Sequence, residues 1–246
     1  MQVHPIQTTR ISLNQRDLLA LIDAHLHECS ENSVLAITSK IVSICQGRTV
    51  QSSGVDRQRL IESESDLYLP PSASRYGVTL TIKENILSPN AGIDESNGDG
   101  YFILWPENPQ KVVNSVRQHL CKRFGLRQVG VILTDSSPVP LRWGVNGVVV
   151  AHSGFAALND YRGKPDLFGR ALRMTTVNVA NALAVAAVLI MGEGSESTPM
   201  ALISDLPFVQ FQSRNPSKKE LAALRIDPAD DLYAPLLTSV AWQKGG

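Results

Sequence analysis

The sequence predicts an α+β (mixed α/β) protein, and three observations carry that prediction. Continuous apolar runs of strand length occur at Ser33 to Thr38 (SVLAIT), Val129 to Leu133 (VGVIL) and Gly147 to Ala151, as expected of strands buried on both faces. Stretches with helical spacing lie between and around them, the longest being the Ala-rich segment Thr175 to Met191. The two kinds of segment alternate too irregularly for a doubly wound parallel sheet.

Taken in order, Asp17 to Glu28 (DLLALIDAHLHE) has apolar residues at helical spacing, with Asn14 placed as its cap. After the SVLAIT strand, SKIVSICQG reads as a turn into a helix ending near Gly47. Arg57 to Leu67 is a further helix, and Tyr76 to Ile82 alternates like a strand. Pro109 to Phe124 opens with proline in its first turn, lines up Val112, Val113, Val116 and Leu120, and stops before Gly125. VGVIL ends directly in Thr134, Asp135, Ser136 and Ser137. The Thr175 to Met191 helix is closed by Gly192, and Met200 to Ile203 forms a last buried strand.

Composition narrows the function. The 246 residues hold 23 Lys+Arg and 23 Asp+Glu, and this neutrality argues against a nucleic-acid surface. No apolar run approaches bilayer length, and the N-terminus lacks the basic flank and apolar core of a signal peptide, so no membrane partner is expected. Cys29, Cys45 and Cys121 are widely spaced with no CxxC pair, which fits a reducing cytoplasm and small apolar fillers rather than nucleophiles.

Four stretches could carry chemistry. Asn90 to Gly100 (NAGIDESNGDG) gathers carboxylates and glycines; hard cations bind through one or two carboxylates plus phosphate oxygens, yet the stretch taken alone reads sooner as an acidic surface loop. The spacing excludes an EF-hand. Asp135 stands at the end of an apolar strand, where α/β sheets place ligands, but the run Asp135 to Pro138 is also good turn chemistry. Thr38, Ser39 and Lys40 follow a strand as phosphate-binding groups do, without a Walker pattern, and a helix cap is the alternative. Glu193, between two glycines in MGEGSES, reads either as a ligand or as part of a helix-terminating loop. Arg142 and Arg162 are weaker candidates for anion contact, His152 reads as structural, and His25 and His27 cannot pair on a metal.

Together, TSKIVS, NAGIDESN, VILTDS, AHSGFAALNDYRG and the Ala-rich helix ending in MGE follow the order of F420-0:γ-glutamyl ligases, which the chain resembles from about His4 to about Ile203. IDESNGDGYFILWPENPQK, PLRWGVNG, KPDLFGR, DLPFVQFQSRNP and DDLYAPLL resemble more closely a bacterial sister group assigned to folate metabolism as γ-glutamate ligases. The resemblance implies a fold of its own, with mixed sheets and flanking helices, in an intertwined homodimer; residues 1–246 then form one unit, with room for two intertwined subdomains. It also implies a cytoplasmic ligase that joins L-glutamate to a pterin or deazaflavin acceptor through an acyl phosphate, folate being placed ahead of the F420 precursor.

The residues the resemblance implies are Asp94, Asp135, Ser136 and Glu193 for Mg²⁺ or Mn²⁺, with Asp94, Asp135 and Lys40 at the centre of the chemistry. GTP or ATP would meet His4, Pro5, Ile6 and Gln7, then Ser39, Lys40 and Asn97, and the loop Met191, Gly192, Glu193, Gly194 and Ser195. Two departures stand out. Ile44 occupies the place of a family lysine, and the stretch from Asp135 to Trp143, ending in PVPLRW, replaces the family's DTFGRPWR. The first motivates a rival reading, a catalytically weak nucleotide- or metal-binding protein on the ligase scaffold.

Overall fold

The computed structural model describes all residues, 1–246. In chain order the strands and helices are β1 (Gln2–Ile6), α1 (Leu18–His25), β2 (Ser33–Thr38), α2 (Ser39–Gln46), β3 (Thr49–Gln51), α3 (Arg57–Glu64), β4 (Leu67–Leu69), β5 (Leu80–Lys83), β6 (Ile86–Pro89) and β7 (Tyr101–Ile103). They continue with α4 (Pro109–Phe124), β8 (Val129–Pro138), β9 (Val145–Ser153), β10 (Leu158–Asp160), β11 (Thr176–Asn178), α5 (Val179–Met191), β12 (Met200–Ser204), α6 (Lys218–Ala222), α7 (Ala234–Leu237) and β13 (Gln243–Lys244). No helix is long and apolar enough to cross a membrane.

The main sheet has the order β1-β12-β2-β8-β9 and is antiparallel except for the parallel pair β2–β8. Successive side chains of β2 leave on opposite faces. Leu35 and Ile37 join a core with α1, α2 and α4, while Val34 and Ala36 join a second core against α5. Burial on both faces is why β2 and the first half of β8 read as unbroken apolar runs. A smaller sheet, β13-β4-β5-β6, and the β3–β7 pair lie beside this sandwich, with a third cluster of Ile61, Ala91, Ile93, Phe102 and Leu104.

Local chemistry shifts several predicted boundaries. Asp17, not Asn14, caps α1: its carboxylate accepts from Ala20 N at 2.9 Å. α3 stops at Glu64, because Leu67 is already paired in β4. Only Leu80 onward of the Tyr76 to Ile82 segment is strand, since pairing with β6 begins there. α5 starts at Val179, where Asn178 accepts from Asn181 N at 3.0 Å, and Thr176 to Asn178 pair instead with β10.

The largest shift concerns β8. It does not end at Leu133 but runs through Asp135 to Pro138, because the Thr134 to Pro138 backbone finds partners on β9 past an irregularity at Leu133/Thr134. β9 in turn lies so close to α5 that a Cβ on Gly147 would sit 2.2 Å from the Ala184 carbonyl oxygen.

Candidate functional site

Parallel pairing of β2 and β8 is the starting geometry. Thr38 stands opposite Thr134, so the carboxyl-terminal ends of both strands reach the same edge of the sheet. One strand leads into α2, bringing Lys40; the other carries Asp135 and Ser136. This is the edge at which α/β sheets place ligands. A cleft of about 1010 Å³ opens there.

Its walls include Lys40, Asp94, Asn97, Asp135, Ser136 and the Met191 to Ser195 loop, stretches that lie far apart in sequence. Asp94 is held by its own loop. Its backbone pairs both ways with Ile103, and its carboxylate accepts from Ser96 N at 2.7 Å and Ser96 Oγ at 2.9 Å. Lys40 Nζ stands 2.7 Å from the same carboxylate and donates to Ser96 Oγ at 3.0 Å. Burial pushes the Asp94 carboxyl up, but the Lys40 and Ser96 donors outweigh it and leave it below the ordinary carboxylate range.

Asp135 has the opposite balance. Trp105 Nε1 and Ser136 N, the latter at 2.9 Å, donate to its oxygens, yet burial dominates, Asp94 adds repulsion, and the carboxyl is pushed up to about 6. Trp105 keeps its place through Gly92, where a Cβ would come 2.0 Å from Trp105 Nε1 and where φ is +69°. On the other wall, Ser136 Oγ donates to Glu193 Oε2 at 3.3 Å, and Asn97 Nδ2 donates to Gly194 O at 3.0 Å.

Helix ends polarise the cleft. Thr38 makes no side-chain cap bond to the first turn of α2, so amide N–H groups point outward beside Lys40, a setting suited to phosphate. α5 ends at Met191 and directs carbonyl groups toward the opposite side, a setting suited to cations. Oxygen donors only, two carboxylates on one side and Ser136 with Glu193 on the other, fit a hard divalent ion better than zinc or copper. They form no ready-made cluster of three or more acidic, His or Cys side chains. A cation already sits on Asp94 in the form of the Lys40 ammonium.

Some predicted residues fall outside this cleft. His4, Pro5 and Ile6 belong to the edge strand β1, in antiparallel register with β12 and off the cleft wall, and His4 Nε2 bonds Gln2 Oε1 at 3.2 Å. Gln7 is exposed and Ser39 is buried within α2, neither on the cleft wall. The segment that does line it begins at Thr8 and runs to Asn14 (TTRISLN), whose hydroxyls directly after a strand were the available signal. Arg162 is tied to Asp160 on the surface, with Nη2–Oδ2 at 2.6 Å, and Arg142 lies on an exposed turn; neither reaches the cleft. Ile44 lines the wall as an apolar residue.

The remaining candidates stay outside the chemistry. His152 is buried edge-on to Phe155, and burial lowers its pKa to about 4. Burial raises the Cys29 thiol and pushes Cys45 up to about 11, so neither is poised as a nucleophile.

Comparison with known proteins adds a consistent result. A family model described as F420-0:Gamma-glutamyl ligase matches residues 6–205. Among similar curated proteins, one from Methanopyrus kandleri is 32% identical over 249 residues, covering 95% of this chain and 97% of the relative. One from Methanothermobacter thermautotrophicus is 35% identical over 231 residues, covering 86% and 91%. A third, from Halorubrum lacusprofundi, is 31% identical over 221 residues, covering 78% and 82%. All three relatives carry the name coenzyme F420:L-glutamate ligase.

Proposed function

The chain belongs to the F420-0:γ-glutamyl ligase family, and from that premise we propose that it joins L-glutamate to the terminal carboxylate of a deazaflavin acceptor in a reaction driven by a nucleoside triphosphate. The observation that carries the reading is the pairing of opposites in one cleft. The uncapped α2 terminus with Lys40 offers positive groups for phosphate, and Asp94, Asp135, Ser136 and Glu193 offer oxygen donors for Mg²⁺ or Mn²⁺.

The acceptor carboxylate oxygen attacks the γ-phosphorus and the nucleoside diphosphate leaves, giving an acyl phosphate. The free amine of L-glutamate then attacks the acyl carbon, and inorganic phosphate departs with one former carboxylate oxygen. Phosphoryl transfer needs alignment and charge neutralisation more than a covalent residue, which suits a cleft with no poised nucleophile. When bound, a divalent ion neutralises phosphate charge and polarises the transferred group. The chain's own part is positional. Lys40, held on Asp94 in the free protein, would supply an ammonium to a phosphate oxygen, and Asp94, Asp135, Ser136 and Glu193 would hold the ion. Asn97 and the Gly192 to Ser195 loop border the nucleotide. Trp105 and Ser136 N hold the Asp135 carboxylate in one orientation.

The order of acceptors differs from that expected of the sequence. Sequence resemblance puts folate first; the names carried by the relatives support the F420 precursor instead. A pterin acceptor stays as the second reading, favoured by the departure between Asp135 and Trp143, whose Arg142 and Trp143 are exposed. A homodimer is part of the proposal, supported by Leu141, Trp143, Leu167 and Phe168, each at least 89% exposed, and by Leu189 on the outer face of α5. The test is an acceptor screen with Mg²⁺ or Mn²⁺, GTP or ATP and L-glutamate, read by mass spectrometry. A glutamyl addition to a deazaflavin or pterin carboxylate is expected; triphosphate turnover without any such product refutes the ligase reading.

A further inference from the structure

Three loops ring the mouth of the cleft, and each pair is joined by one kind of contact. Thr8 N donates to Ser197 O at 2.8 Å, tying the N-terminal loop to the loop after α5. Asn97 Nδ2 donates to Gly194 O at 3.0 Å, tying that loop to the acidic loop after Asp94. The third link is the ion pair of Arg10 Nη2 with Asp99 Oδ2 at 3.0 Å, its side chains 82% and 72% exposed. Such an exposed pair is weak and easily exchanged.

The charge of the cleft makes that arginine informative. Five carboxylates line it, Asp94, Asp99, Asp135, Glu193 and Glu196, against two cations, Arg10 and Lys40. Lys40 is engaged by Asp94 and Ser96. The α2 wall is apolar at Ile44. Arg16, the other guanidinium nearby, is spent on carbonyl oxygens: it donates to Ile44 O at 3.2 Å, to Gln15 O at 3.1 Å and to Leu13 O, and it lies off the cleft wall. Only Arg10 combines a position on the cleft with a partner it can readily leave.

We propose that Arg10 is a nucleotide-phosphate-binding residue of this chain, stowed on Asp99 in the free protein and released onto a phosphate oxygen when the triphosphate enters. A guanidinium binds phosphate through paired N–H donors, a stronger contact than the exposed carboxylate pair it gives up. Asp99 is then a competitor for Arg10, and it fixes the sign of a second substitution. The inference rests on the nucleotide-dependent reading above.

The test is calorimetric titration of the full chain with GTP and with ATP in Mg²⁺, without L-glutamate or acceptor, for wild type, Arg10→Ala, Arg10→Lys and Asp99→Asn. Arg10→Ala should weaken triphosphate binding by about tenfold or more, with Arg10→Lys intermediate. Asp99→Asn should bind at least as tightly as wild type, because it frees the arginine. If the ion pair merely braces the loops, Asp99→Asn weakens binding as Arg10→Ala does, and the inference is overturned. Unchanged binding in Arg10→Ala overturns it as well. Should wild type bind neither triphosphate, the nucleotide-dependent reading fails along with it, an outcome distinct from the other two.

Discussion

Replacing Asp135 by asparagine is predicted to abolish the pH dependence of stability that this carboxyl gives the metal-free protein. Burial holds the folded-state carboxyl at about 6 against an ordinary 3.8. A carboxyl raised on folding adds stability that is fully present below the unfolded value and is lost as pH climbs through the folded one. The window is therefore about pH 4 to 6, and a shift of about two units corresponds to about 3 kcal/mol, as an upper limit. Asparagine removes this slope. It also leaves either Trp105 Nε1 or Ser136 N without an acceptor, a constant penalty of about 1 kcal/mol. Urea denaturation in the presence of chelator, from pH 4.5 to 8, should show Asp135→Asn less stable than wild type at the acid end and more stable at the alkaline end. Mg²⁺ or Mn²⁺ above pH 6 should restore stability to wild type and not to the variant. Parallel pH profiles for the two proteins would refute the idea that the cleft holds a strained carboxylate suited to a cation.

Asp94→Asn should reduce ligase turnover by about a hundredfold or more while leaving the circular dichroism unchanged, since it removes both the oxygen donor and the resting place of Lys40. Trp105→Phe deletes a donor to the charged form of Asp135, so its carboxyl rises further and Mn²⁺ affinity at pH 7, followed by paramagnetic resonance, should fall. Gly92→Ala drives a Cβ into the Trp105 ring at a left-handed φ and should cost about 2–4 kcal/mol by urea denaturation. Light scattering should give a dimer mass, and Leu189→Glu on the exposed face of α5 should lower it.

The parts of the fold that follow from local pattern were legible. SVLAIT, VGVIL and the proline-led Pro109 to Phe124 helix appear where the periodicity puts them, because their burial is decided by their own residues. The extension of β8 was not legible: Thr134 to Pro138 is polar turn chemistry until β9 supplies backbone partners. The cap at Asp17 and the helix start at Val179 escape local pattern for a similar reason, several residues being able to cap or to pair with another strand. In the cleft, Asp94, Asp135 and Glu193 can be named from motif order, but their roles as neighbours depend on the parallel β2–β8 register. Trp105 gives no signal, since its only relevance is one hydrogen bond made thirty residues away. Motif order puts the nucleotide segment at His4 to Gln7, whereas the cleft is lined from Thr8 onward, because His4, Pro5 and Ile6 lie in strand β1 and Gln7 is exposed just after it.

In the proposed mechanism an acceptor carboxylate is phosphorylated in this cleft before glutamate attacks. Labelling that carboxylate with heavy oxygen and analysing the phosphate released during turnover with Mg²⁺, triphosphate and L-glutamate follows the oxygen through that step. One labelled oxygen in each phosphate, in step with glutamyl product, is the predicted result. Unlabelled phosphate, or the release of pyrophosphate with a nucleoside monophosphate, would contradict it.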